Sequence, residues 1–223
     1  RDAQESRGLG DVYKRQAQNG VSLVQTAEGA LNEAHAILQR MNEIATQAAN
    51  DTNTTADRGA IKKELTQLST ELTRISSTTQ FNTMNLLDGN FTAKNLQVGA
   101  LAGQKITISI KAMSATALGV KDDELKVSTF GLAGSTMTKI QKAISQVSAQ
   151  RSDLGAVQNR LEYTINNLNT TSENTSAAES LIRDTDMASE MVNYSKNQIL
   201  AQAGQSMLAQ ANSSNQGVLS LLQ

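Results

Sequence analysis

Ile140, Val147, Leu154, Leu161 and Leu168 stand seven positions apart in an unbroken series. A sevenfold apolar repeat held over this distance specifies a helix whose buried stripe lies along other helices. The same period runs earlier on two adjacent tracks between Gln18 and Asn50. One track is Val24, Leu31, Leu38 and Ala45, and the other is Ala27, Ala34, Met41 and Ala48. Leu23, Ala30, Ile37 and Ile44 widen that stripe. A third helix is expected over Asp57–Thr79, where Ile61, Leu65, Leu68, Leu72 and Ile75 alternate steps of four and three. The polar run Asn50-Asp51-Thr52-Asn53-Thr54-Thr55 ends the first helix, and the short connection predicts an antiparallel hairpin. The Ile140 series predicts a helix from Thr136 to Asn169, with polar 169–175 as a joint before a terminal helix. The fold class expected is mainly α: an elongated antiparallel helical bundle or coiled coil with a small β-hairpin region at one end and a long carboxy-terminal helix.

The β-hairpin region is expected at about residues 81–131. Ile106, Ile108 and Ile110 alternate with polar neighbours within Gln104–Lys111, as in a half-buried strand. Asn95-Leu96-Gln97-Val98 is its partner, and 99–103 its turn. Asp88-Gly89 marks another turn, Leu125–Phe130 reads as a further short strand, and 113–135 as a small, polar, solvent-exposed excursion.

Composition narrows function. The chain has 223 residues, no Cys, no Pro, no Trp, 3% aromatics and a formal charge of −1. Disulfides and thiolate chemistry are excluded, and near-neutral charge gives no reason to expect nucleic acid or an acidic membrane. No apolar run approaches the roughly 18 residues of a membrane span. His35 is the only histidine, which argues against His-based metal sites and triads. No catalytic residue, metal site or cofactor is expected. Asp122-Asp123 and Asp184/Asp186 read as solvated charges or helix caps.

The carboxy terminus is unusually apolar. Met187, Met191, Ile199, Leu200, Met207, Leu208, Val218, Leu219, Leu221 and Leu222 punctuate residues 180–223, a pattern that costs solubility unless another surface covers it. At the other end, Asp11-Val12-Tyr13-Lys14-Arg15-Gln16 is the translation of GAT GTG TAT AAG AGA CAG, a string resembling the transposon-end adapter of sequencing libraries. Residues 1–16 are therefore expected to be non-native, with the authentic frame starting near Ala17.

Several motifs in one order carry a family resemblance. Val21-Ser22-Leu23-Val24-Gln25-Thr26-Ala27-Glu28-Gly29-Ala30-Leu31, Thr79-Gln80-Phe81-Asn82 and Leu86-Leu87-Asp88-Gly89 are similar to the amino-terminal core of bacterial flagellin. Gln150-Arg151-Ser152-Asp153-Leu154-Gly155-Ala156-Val157-Gln158-Asn159-Arg160-Leu161 is similar to the start of its carboxy-terminal core. Glu173-Asn174, Ile182-Arg183-Asp184, Ser206-Met207-Leu208-Ala209-Gln210-Ala211-Asn212 and Val218-Leu219-Ser220-Leu221-Leu222 complete it.

The resemblance implies a structural subunit that polymerises with other flagellin subunits into the filament used for motility. It implies export by the flagellar secretion system without a cleaved signal peptide, and a location in the extracellular flagellum. It also implies an outer core bundle at 17–179 and an inner-core helix at 180–223. Family partners are an export chaperone covering the carboxy-terminal segment, the filament cap and junction proteins, and the host Toll-like receptor for flagellin. The receptor pattern falls on Gln39, Arg40, Glu43, Ile44 and Glu64, with Arg40 and Glu43 three apart on one helix face. Ile44, Met41 and Asn42 depart from strongly stimulatory relatives. The ten apolar residues of the tail carry the polymerisation and chaperone role.

Rival readings are a hook–filament junction protein and an enzyme built on a flagellin scaffold. Asn159-Arg160-Leu161 and the final Leu-Leu-Gln favour flagellin proper; the short centre and single His weigh against the enzyme. Large outer domains have no room here, and the family's first segment is not found ahead of Ala17. The chain as written is therefore expected to keep its outer bundle without forming normal filaments.

Overall fold

The computed structural model describes residues 2–183 and 187–220, with side-chain surroundings for 10–181 and 187–213. It divides into two compact units, Arg1–Thr175 and Ser176–Gln223. Leu221 and Leu222, as well as Asp184 and Asp186, lie outside the described residues, and the side chains of Val218 and Leu219 do too.

In the first unit, helix α1 spans Asp2–Ala48 and passes unbroken through the Gln16–Ala17 boundary. Both sevenfold tracks of α1 are buried, with Val24, Ala27, Leu31, Leu38, Met41, Ala45 and Ala48 wholly shielded from solvent. Each such Leu, Val or Met contributes roughly 1.5–3 kcal/mol by leaving water. The helix ends where Asn53 turns back, its Nδ2 donating at 2.6 Å to the carbonyl of Gln47, which also accepts from the Asn50 amide at 3.1 Å.

Helix α2, Thr55–Thr78, opens on a capping box. Thr54 Oγ1 accepts from the Asp57 amide at 3.3 Å, and Asp57 Oδ2 accepts from the Thr54 amide at 2.9 Å. Two orphan amides are thereby satisfied. α2 then folds back along α1, burying Ile61, Leu65 and Leu72.

Helix α3 spans Phe130–Arg183. Ile140, Val147, Leu154 and Leu161 of its repeat are buried beside those of α1 and α2 in one core. The segment expected as a joint, 169–175, does not break the helix, since α3 continues through it, but the division between the two units falls at its end, after Thr175. The hydroxyls of Thr170 and Thr175 donate to carbonyls one turn back, those of Asn166 and Thr171. Side chains that read as turn-forming are thus absorbed by the helix itself.

Four short strands lie between α2 and α3. β1, Gln80–Phe81, pairs with β2, Met84–Asn85, around a two-residue turn. Both turn residues have positive φ, Asn82 at 47° and Thr83 at 65°, as a tight hairpin turn requires. β3, Lys94–Gln97, pairs antiparallel with β4, Lys105–Ile108, in the register Leu96 opposite Ile106. This is the hairpin read from the alternation, and Ile106, Ile108 and Ile110 point into the core. Leu96 packs against α1 at Gly20, where any Cβ would collide with it.

Two expectations for the middle are corrected. Leu125–Phe130 is not a strand; a short 3₁₀ turn over Asp122–Glu124 leads through irregular chain to α3. Nor is 113–135 an exposed excursion. Met113, Ala115, Leu118, Val120, Leu125, Val127 and Ala133 are buried. Loop carbonyls there are met by helix hydroxyls: Ser69 Oγ donates to Val120 O at 2.9 Å and Thr136 Oγ1 to Lys126 O at 2.8 Å. Buried Gln150 clamps the neighbouring strand end, accepting from the Lys111 amide and donating to Ser109 O, both at 3.2 Å. Irregular chain can be buried only when its backbone groups find such partners.

The second unit holds the end of α3 and helix α4, Met187–Ser220.

Thr83 is a β-branched residue in left-handed backbone, a conformation that costs on the order of 1–3 kcal/mol. Thr83→Gly is expected to raise unfolding free energy by about 1 kcal/mol, read from urea denaturation of the whole chain.

Candidate functional site

The apolar tracks of α1 decide which of its residues face outward. Leu38, Met41, Ile44 and Ala45 are buried, leaving Gln39, Arg40 and Glu43 on the opposite, exposed side. Glu64 on α2 comes alongside. Arg40 Nη2 and Nε donate to Glu64 Oε1 at 2.9 and 3.1 Å, and Nη1 donates to Glu43 Oε2 at 3.3 Å. Hydrogen bonding to Glu64 first, then to Glu43, holds the Arg40 guanidinium above its ordinary pKa. The result is a fixed, exposed cation flanked by two carboxylates, with three donor atoms already oriented. Gln39 Nε2 lies 3.0 Å from His35 Nε2 at the edge of this patch.

Four of the five residues assigned to receptor recognition therefore come together on one face. Ile44 does not join them. It is 2% exposed, because it widens the buried stripe that holds α2, so its side chain is a core group rather than a contact.

A second polar cluster escaped the sequence reading. Asp122, expected to be a solvated charge or a cap, accepts from Lys62 Nζ at 2.7 Å and from the Thr66 hydroxyl. It ties the 113–135 loop to α2. The Lys62 hydrogen bond, followed by that of Thr66, lowers the Asp122 pKa below the usual carboxylate range. Asp122 and Lys62 are 60 residues apart, and no local pattern signals such a pair. Asp123 is the exposed one, 3.5 Å from Lys121. Among the described residues no group of His, Cys, Asp and Glu is arranged to hold a metal ion, and no helix is long and apolar enough to cross a membrane.

The apolar residues of α4 form the other candidate surface. Met187, Met191, Val192, Ile199, Leu200, Met207 and Leu208 are all more than half exposed. At 100° per residue they do not form one stripe. Met187 and Met191 share one side, Val192 and Ile199 a second, and Leu200 and Met207 a third, with Leu208 between the third and the first. Met191, Val192, Ser195, Lys196, Ile199 and Leu200 border one shallow surface depression. A helix with apolar groups on several sides is one that is buried from several sides.

Comparison with known proteins agrees with this architecture. Residues 3–92 match the family described as the bacterial flagellin N-terminal helical region, and 137–222 the bacterial flagellin C-terminal helical region. The chain is 48% identical to a flagellin of Halalkalibacterium halodurans over 216 residues, covering 97% of this chain and 79% of that protein. It is 46% identical to a flagellin of Bacillus subtilis, covering 97% and 81% respectively. The 33 kDa flagellar filament core protein of Treponema phagedenis is also 46% identical, with 97% and 80% covered. Among solved structures, Bacillus cereus flagellin superposes with a TM-score of 0.61 at 31% identity, over 74% of this chain and 94% of that one. A hook-associated protein from Vibrio parahaemolyticus shares the fold at 12% identity, with a TM-score of 0.68 over 80% and 93%.

The Asp122 anchor has a defined pH response. Its folded pKa is lowered, so its stabilisation is fully present above the ordinary Asp value of about 4 and is lost as pH falls through the depressed one. The difference in melting temperature between wild type and Asp122→Asn is expected to be constant from about pH 7 to 5 and to close below about pH 4.

Proposed function

We infer, for a chain that belongs to the bacterial flagellin family and is a structural subunit of the extracellular flagellar filament, that α4 supplies an assembly surface covered by neighbouring subunits. One observation carries this: α4 exposes large apolar side chains on three sides, so a single partner helix leaves part of it wet. Fibre growth needs contacts that do not close on themselves, and a helix requiring cover from several directions suits them. Met187, Met191, Ile199, Leu200, Met207 and Leu208 are the proposed contacts, with Val218, Leu219, Leu221 and Leu222 continuing them in the sequence. The same residues suit an export chaperone that shields them before assembly, with passage through the flagellar secretion system without a cleaved signal peptide. The filament cap and junction proteins would meet the same surface at filament ends.

The chain lacks large outer domains: only residues 93–136 separate its two matched core regions. Its chemistry is assembly, and we assign it no catalytic role. The junction-protein reading shares the fold, but the 48% and 46% identities are to flagellins. Residues 1–16 stay proposed as non-native sequence. The DNA decides that, because codons other than the adapter's at Asp11–Gln16 remove the proposal.

Ile199→Glu and Leu208→Glu, placed in the full-length gene, are expected to abolish filaments seen by electron microscopy while leaving the melting of the first unit unchanged. Normal filaments from both variants would take α4 out of the assembly surface.

A receptor-binding role for Gln39, Arg40, Glu43 and Glu64 is the second reading, carried by the preoriented Arg40. An exposed Arg with its donors already aligned loses little freedom on binding and suits an interface anchor. Arg40→Ala is expected to weaken binding to the host Toll-like receptor at least tenfold, measured by surface plasmon resonance, with an unchanged melting curve. Unaltered affinity removes the site.

A further inference from the structure

The seven methionines of the chain divide by unit. In the first unit Met41 and Met113 are buried, and Met137 packs half-buried against the core. Met84, in β2, is 41% exposed. The three methionines of α4 are all more open than that: Met187 at 66%, Met191 at 57% and Met207 at 73%. A thioether is oxidised where an oxidant can reach its sulfur. A solvent-borne oxidant therefore meets α4 before it meets the core of the bundle.

Leucine fills the same apolar role without that liability, and α4 uses it at Leu200 and Leu208. Methionine adds an adaptable shape and a polarisable, oxidisable sulfur. Placement gives the sulfurs leverage. Met187 and Met191 lie on one side of α4 and Met207 on another, so their oxidation touches two of the directions from which the helix needs cover. A sulfoxide is polar and chiral where the thioether was apolar, and it disrupts methionine-rich interfaces. Burying such an acceptor without a donor opposite it is unfavourable.

We propose that Met187, Met191 and Met207 are a modification site for hydroperoxides that arrests a subunit before it joins a filament, an inference that rests on the reading of α4 as an assembly surface. The sulfur lone pair attacks one oxygen of hydrogen peroxide, and the S–O bond forms as the O–O bond breaks. Sulfur gives up two electrons, and the departing hydroxide takes the proton of the transferred oxygen and leaves as water. No other co-reactant is needed. In a filament the neighbouring subunits cover α4 and keep peroxide from the sulfurs. Peroxide therefore stops new growth and spares filaments already built. Enzymatic reduction of the sulfoxides returns the thioethers, which makes the arrest reversible.

The test uses subunits from the full-length gene, treated with hydrogen peroxide, mapped by peptide mass spectrometry and added to filament seeds under electron microscopy. In free subunits Met187, Met191 and Met207 are expected to oxidise about tenfold faster than Met41 and Met113, and in preformed filaments no faster than those two. Oxidised subunits are expected to lengthen seeds about tenfold more slowly, and methionine sulfoxide reductases to restore the rate. The triple variant Met187→Leu, Met191→Leu, Met207→Leu, which keeps Met84, is expected to lengthen seeds equally well before and after peroxide. If that variant does not lengthen seeds at all, rescue by the reductases decides. Normal growth from oxidised subunits, while Ile199→Glu subunits fail to grow, overturns the switch and leaves the assembly surface standing. Normal growth from both removes the assembly surface as well. An arrest that the reductases do not reverse, or that persists in a growing triple variant, also overturns the switch.

Discussion

The buried stripe of α1 is the constraint on which the first unit depends. Two sevenfold tracks, Val24 to Ala45 and Ala27 to Ala48, are excluded from water along the helix. With no Pro and almost no aromatic residues, the core is built from aliphatic groups and alanines. Such side chains let helices approach closely, and they place little demand on individual rotamers. The cost is that no single large side chain organises the packing. Length does that instead, since at 1.5 Å per residue the buried stripe of α1 from Ala17 to Ala48 runs for about 48 Å.

That dependence explains why the small β region is docked rather than freestanding. An isolated two-stranded hairpin is marginal in water. Here Leu96 closes on α1 at Gly20, and Ile106, Ile108 and Ile110 join the helical core. The loops beyond are held by a few side chains reaching from the helices: Ser69, Ser76, Thr136 and Gln150. They are polar residues on helix faces that would otherwise be apolar, and each meets backbone groups that have no ladder of their own.

These polar anchors mark the boundary of what sequence could reveal. The three helices and the Leu96–Ile106 hairpin were legible because their signal is periodic and local. The burial of 113–135 was not. Met113, Ala115, Leu118 and Val120 are spaced irregularly among small residues, and their burial depends on hydroxyls far away along the chain. Continuity of α3 through 169–175 was missed for the opposite reason. Asn and Thr signal turns only when their side chains compete with the helix, and here Thr170 and Thr175 bond back into it. On the candidate site, the heptads already implied that Arg40 and Glu43 face outward. They equally implied that Ile44 faces inward, and family resemblance alone placed it among the contacts.

The two units solve the same problem in different ways. In Arg1–Thr175 the heptad residues are covered by the chain's own helices. In α4 the comparable residues are exposed, on three sides, in a helix with few charges: Glu190 and Lys196 alone among residues 187–213. Its polar residues, among them Asn193, Asn197, Gln198, Gln202 and Gln205, are interspersed with these apolar groups rather than gathered on one face. The first unit covers its own apolar stripes, whereas under the assembly surface proposed above the cover for α4 comes from other copies of the chain. On that proposal, folding belongs to the first unit and assembly to α4.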